Sequence, residues 1–208
     1  MLENLREINW SALNHAGGSA SDVPDLLESL LSEDPSVRSE SIYQLFGTIW
    51  HQGSVYQASS YAIPFLFELL ALPDERDRAF VAMLLAELAD GVSYLAALDD
   101  QDSPILPTLR QAFEQEGRDF DEEVRLGRIW VERTRQAVGV QLDLLFPYLQ
   151  DDEPEVRETI ARCLARFPDR VGDTLPLLEK AWITEPEDYV KESVQKSLTQ
   201  LRSQGRDL

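Results

Sequence analysis

Two short stretches place a histidine near a serine: His15-Ala16-Gly17-Gly18-Ser19 and His51-Gln52-Gly53-Ser54. An imidazole beside a hydroxyl is the beginning of nucleophilic catalysis, provided that a strained turn exposes the serine and a carboxylate orients the ring. Neither condition can be read here, because no Gly-x-Ser-x-Gly elbow surrounds Ser54 and the sequence identifies no orienting acid. The two histidines are the only ones in the chain and lack a His-x-x-x-His or Glu-x-x-His spacing, so a zinc site would need carboxylates from distant segments. A single cysteine, Cys163, can form neither an intrachain disulfide nor a Cys-based zinc site. "HAGGSAS" contains glycines but does not follow a strand and carries no Lys-Ser/Thr, so no P-loop or dinucleotide fingerprint is present. These residues predict no catalytic centre, no cofactor and no metal.

The histidine motif recurs because the corner recurs. Each copy leads through small residues to a helix with an apolar-Pro start, Val23-Pro24 after the first and Ile63-Pro64 after the second. A ring at a helix C-terminus meets bare carbonyls and the negative end of the dipole, and a following glycine supplies the left-handed turn. The acidic clusters Asp121-Glu122-Glu123 and Asp151-Asp152-Glu153 have a similar explanation, since they fall at helix starts, where negative charge complements the dipole.

The elements that position these residues are helices. Val23-Pro24, Ile63-Pro64, Leu106-Pro107, Phe146-Pro147 and Leu175-Pro176 each open an apolar helix on this reading, because proline near the first turn lacks only an N–H that would be unpaired anyway. Asp22 and Asp173 are candidate N-caps. Each opening is answered downstream by Val37-Arg38, Asp77-Arg78, Val124-Arg125, Val156-Arg157 or Val190-Lys191, with turn residues such as "SEDPS" and "DDEPE" between. The second helices carry one apolar stripe: Ile42, Leu45, Phe46 and Ile49; Val156, Ile160, Cys163, Leu164 and Phe167; Val190, Val194, Leu198 and Leu201. Strand periodicity is scarce, and no Asn-Gly or Asp-Gly turn joins β-branched runs.

A helix, a turn and a second helix, five times over, predicts an all-α chain, a right-handed α-solenoid of about five helical hairpins. The proline-opened first helix, the Asp/Pro turn and the Val-Arg opening of the second resemble HEAT repeats over about residues 20–203. The expected organisation is one domain over 1–208, with an N-terminal cap at 1–20 built on Leu2, Leu5, Ile8, Trp10 and Leu13, repeats at 21–203 and a tail at 204–208. Residues 91–103 read as the longest connection between repeats. Trp130 and Trp182 read as gap fillers between helices.

Composition bounds the partner. The 208 residues are 43% hydrophobic and 27% charged, which is a globular balance. Nineteen basic against thirty-eight acidic residues give −19, a field that repels phosphate backbones and argues against nucleic acid. The first hundred residues hold only four arginines and no lysine. The opening Met1-Leu2-Glu3-Asn4 has no apolar leader and no run reaches bilayer-spanning length, so a cytoplasmic protein without membrane attachment is expected.

"INWSALNHAGGSASDVPDLLESLLSEDPSVR" followed by "HQGSVYQASSYAIPFLFELL" is similar to the start of a group of small bacterial HEAT-repeat proteins. That resemblance implies protein binding, including antidotes that cover a toxin's active surface; an acidic solenoid would suit a basic toxin such as a nuclease. A general interaction scaffold is the first alternative. An enzyme of the DNA glycosylase or bilin lyase type is the second, with Arg125, Arg128, Arg133 and Arg135 its only basic stretch. The candidate partner contacts are Tyr43, Trp50, His51, Tyr56, Asp74, Glu75 and Asp77. Tyr43 and Trp50 fall beside the apolar stripe of their helix, either as exposed anchors or packed against the cap and the loop after them.

Overall fold

The computed structural model describes residues 1–72, 77–101 and 103–204. Two 3₁₀ turns, Leu5–Glu7 and Trp10–Ala12, lead into a hairpin of β1 (Asn14–His15) and β2 (Gly18–Ser19). Helices α1 (Val23–Ser29) and α2 (Pro35–Thr48) follow, then a second hairpin of β3 (Trp50–His51) and β4 (Ser54–Val55). The rest is helical: α3 (Ser59–Leu70), α4 (Arg78–Ala89), α5 (Tyr94–Asp100), α6 (Leu106–Gln115), α7 (Phe120–Gly139), a 3₁₀ helix at Leu142–Gln150, α8 (Pro154–Leu164), a 3₁₀ turn at Pro168–Arg170, α9 (Val171–Thr184) and α10 (Asp188–Gln204). The described chain is all-α apart from the two small hairpins, and α1 packs with α2, the 3₁₀ helix at Leu142–Gln150 with α8, and α9 with α10 as helical pairs. No described helix is long and apolar enough to cross a membrane.

Proline placement differs from the sequence expectation at three helices. Pro24 and Pro107 do stand at helix starts. Pro64 and Pro176 lie inside α3 and α9, and Pro147 lies inside the 3₁₀ helix at Leu142–Gln150. All three rings are on the exposed side, where water can take the carbonyl that each missing N–H leaves free. Proline also opens α2 and α8, at Pro35 and Pro154, so the turn prolines of the sequence reading are the first residues of second helices. Asp34 caps α2 by accepting the Ser36 N–H at 2.8 Å. Asp173 is not an N-cap: it sits in the first turn of α9 and pairs with Arg170. The acids Asp121, Glu122 and Glu123 occupy the first turn of α7 as the dipole argument requires.

The described chain divides into two compact units. The second consists of Leu66–Asp90 and Val138–Leu208. In it α4 packs on α8 and α8 on α10, so the second and fourth sequence pairs are direct neighbours, although the third pair separates them in sequence. One arginine per pair makes the join. Arg78 donates to the Leu72 carbonyl at 3.2 Å and to the Asp151 carboxylate at 2.9 Å. Arg157 repeats this one pair on, donating to the Asp151 carbonyl at 2.8 Å and forking onto Glu185 at 2.9 and 2.7 Å. The ladder is buried, and both partners of the Arg157–Glu185 pair are shifted: the carboxylate is held below its ordinary range by the guanidinium hydrogen bonds, and the guanidinium is raised by the same bonds. Tyr148 adds a hydroxyl bond to the Leu70 carbonyl at 2.9 Å. Beneath lie Leu85, Leu88, Leu142, Leu145, Ile160, Leu164, Leu178, Val194 and Leu198.

The first unit consists of Met1–Phe65 and Gly91–Ala137. Leu2, Leu5, Trp10 and Leu13 are buried at its start, with the Trp10 indole donating to the Leu5 carbonyl at 2.7 Å. The stretch read as a plain connection after residue 91 instead contains α5. With α6 and α7 this helix encloses a small core of Ala96, Leu106, Phe120 and Val124, flanked by Leu95, Leu98, Leu109 and Phe113. Arg110 stacks on Phe120 and Arg118 on Phe113, each with its guanidinium carbon 4.5 Å from the ring centre.

Candidate interaction surface

Both histidine corners are tight hairpins, which corrects the reading of them as helix ends capped by imidazole. In the second, Trp50 pairs with Val55 and His51 with Ser54, leaving Gln52-Gly53 as a two-residue loop. Both loop residues are left-handed, with φ of 49° and 88°, the backbone that a two-residue turn needs to match strand twist. Gln-Gly is outside the Asn-Gly and Asp-Gly signatures, and each strand has only two residues, too few for periodicity to register. The first hairpin pairs His15 with Gly18, whose φ is 113°.

The two rings do different work, and neither meets a helix carbonyl. His15 is buried, its Nε2 2.8 Å from Asp22 Oδ1 and its Nδ1 accepting the Gly17 N–H at 2.9 Å. It ties the hairpin to the start of α1, and Asp22 is spent on it rather than on capping. His51 is exposed while Ser54 is buried, and among the described residues no hydrogen bond joins that ring to that hydroxyl. No described group of histidine, cysteine and carboxylates is arranged to hold a metal. Cys163 is buried and its thiol is pushed up to about 12 by burial, which keeps it protonated.

Backbone bonds lock the hairpins into a continuous edge. The Ala16 N–H donates to the Thr48 carbonyl at 3.1 Å and the Ala58 N–H to the Asn14 carbonyl at 3.0 Å. Val55 and Gly53 exchange bonds with Val92, adding a third extended segment beside β4. Ser59, fully buried, donates its hydroxyl to the Ile49 carbonyl at 2.5 Å and accepts the Tyr56 N–H at 2.8 Å. The end of α2, the hairpin and the start of α3 are thereby fixed to one another.

The candidate contacts separate on this frame. Tyr43 is 76% exposed on the outer stripe of α2, with Glu40 before it and Gly47 after it. Trp50 is half-buried, its ring edge-on to Phe46 at 5.9 Å, and its indole N–H is buried without an acceptor. The ring contact of Trp50 is with Phe46 of α2. Tyr56 is half-buried and its hydroxyl is raised by desolvation. These three and His51 lie in the first unit. Asp77 lies in the second, in left-handed backbone before α4. Asp74 and Glu75 lie outside the described residues. Trp182, read as a gap filler, is 39% exposed on α9 with the Lys191 ammonium of α10 5.5 Å from its ring centre.

A signal that the sequence reading passed over runs through this surface. Between Glu40 and Glu68 there is no Asp, Glu, Lys or Arg in a chain that is 27% charged. Elsewhere several arginines are engaged by carboxylates of the chain itself. Arg6 is bound by Asp25 and Glu28, Arg125 by Glu122, and Arg128 by Asp99 and Asp100, so two members of the expected basic stretch are neutralised.

Residues 106–199 match the family model for HEAT repeats. A crystal structure of an engineered protein, a structural-genomics target, is similar at 21% identity with a TM-score of 0.36, covering 89% of this chain and 81% of that one. No curated protein matches the chain in sequence. With the paired helices and the arginine ladder between them, the match over residues 106–199 supports an all-α, HEAT-like repeat architecture, and HEAT repeats commonly mediate protein interactions.

Proposed function

We propose that this chain is a non-catalytic protein-interaction scaffold whose partner is basic. The observation that carries the reading is the disposition of charge. Arginines such as Arg6, Arg78, Arg110, Arg128, Arg157 and Arg170 end on carboxylates of the chain itself, and the surplus of −19 is left to the surroundings. Such a field attracts and orients a positively charged partner and repels phosphate. The test is affinity purification with the chain as bait from its native host, at low and at high salt. A basic protein held in stoichiometric amount and released by salt is expected; recovery of none, or of acidic proteins indifferent to salt, overturns the reading. The finer form of the function, an antidote seated on a basic toxin, has the same charge in its favour. It requires in addition that the recovered protein be toxic by itself and lose that activity when mixed with this chain.

A further inference from the structure

We propose that the outer face of α2 and the hairpin after it, running from Glu40 through Tyr43 and Gly47 to His51 and Gln52, is the surface on which a folded protein docks, with an uncharged centre over Tyr43 and Gly47 and lysine or arginine side chains around Glu40. This rests on the scaffold reading and assigns it a place.

Three observations converge. The first is charge. Protein interfaces are depleted of charge at their centres and enriched in tyrosine and tryptophan, and this strip belongs to the uncharged run between Glu40 and Glu68. Tyrosine offers large contact area at small conformational cost, and Tyr43 is the most exposed tyrosine of the described surface.

The second is Gly47. It stands in the last turn of α2 with ordinary helical φ, and a Cβ built on it would meet nothing within 4 Å. The fold therefore has no internal need of glycine there, and helix propensity favours alanine. Gly127 and Gly139 differ, because a Cβ would reach Ser93 and Phe167 within 3.1 Å. A bare backbone one turn from an exposed tyrosine allows a partner to approach the helix closely. The third is rigidity. Ser59 and Val92 hold the hairpin against α2 and α3, so docking orders little of this chain.

Charge also selects the occupant. Glu33 and Asp34 just before α2 and Glu40 in its first half are exposed. The nearby arginines are engaged, Arg6 by Asp25 and Glu28 and Arg38 by the Ser32 and Glu33 carbonyls. A second copy would set acid against acid, as would an anionic lipid surface or a nucleic acid. A protein with a basic rim meets the same groups favourably.

The experiment places a photo-reactive benzophenone amino acid at position 43, or as a control at position 189, an exposed tyrosine on α10, and irradiates each labelled chain in lysate of the native host. One adduct from position 43, with a basic protein and lost at high salt, is expected, with roughly tenfold less from position 189. Gly47→Gln in the labelled chain should weaken the adduct by roughly tenfold while the thermal midpoint stays the same or rises. Gly172→Gln, at a glycine equally open on α9, should leave the adduct unchanged. An adduct of two copies of this chain, equal yields from positions 43 and 189, or indifference to Gly47→Gln overturns the proposal. A basic adduct from position 189 alone removes this docking face and leaves the scaffold function standing; no adduct from either position removes both.

Discussion

Ser59 shows how much of the candidate surface depends on one small side chain. Its hydroxyl accepts the Tyr56 N–H and donates to the Ile49 carbonyl, in a position with no solvent access. Ser59→Ala leaves both groups to be satisfied elsewhere, and a buried polar group without a partner costs about 1–3 kcal/mol. A lower urea midpoint with an unchanged slope is expected, together with faster amide exchange at Val55 and Tyr56. An unaltered midpoint would show that water replaces the hydroxyl. Little of this was legible from sequence: the serine reads as one more turn residue, and its partners lie at 49 and 56, on the far side of a hairpin too short to leave a pattern. The histidines were legible as a recurring corner, but the hairpin, the Asp22 contact and the difference in burial between the two rings depend on coordinates.

Among the elements, the close contact of α7 with the start of α5 makes Gly127 a packing residue. A Cβ there would come within 2.2 Å of the Ser93 hydroxyl, which caps α5 through the Ala96 N–H. Gly127→Ala therefore either separates the helices or displaces the cap, an overpacking cost of roughly 1–3 kcal/mol; a rise in thermal midpoint, as alanine would give in an open helix, would contradict the contact. The ladder between helix pairs carries a pH signature. Glu185 ionises at lower pH in the folded chain than in the unfolded one, because Arg157 donates two hydrogen bonds to it. Its contribution is complete above the ordinary glutamate value of 4.5 and is lost as pH falls through the lower folded value. Glu185→Gln should reduce stability at neutral pH by roughly 1.5–3 kcal/mol and flatten the fall in stability below pH ~4.5. Parallel pH profiles for the two proteins would show that the pair is not linked to folding. Repetition was readable at this scale because stripes such as Val190, Val194, Leu198 and Leu201 are buried as their spacing required. The prolines misled at α3 and α9, since an exposed interior proline is tolerated and composition does not reveal exposure.

For the whole molecule the governing quantity is −19. Like charges at this density oppose the compact state, and salt screens them over a Debye length of about 8 Å at physiological ionic strength. The exposed internal ion pairs are screened too, but each is worth little. Raising salt from low to about 0.5 M should therefore raise the thermal midpoint; a fall would mean that the internal pairs outweigh the surplus.

The sequence by itself determined that the chain is helical, that its helices come in pairs with one buried stripe each, and that the surroundings meet a strongly acidic body. Those properties follow from local periodicity and from sums, which need no knowledge of distant neighbours. Tertiary structure alone decided that α4 lies against α8, that Arg78 reaches Asp151 and Arg157 reaches Glu185, and which aromatics face outward. Each of these is a choice between partners of similar chemistry far apart in sequence, and only the packed fold brings one of them within hydrogen-bonding reach.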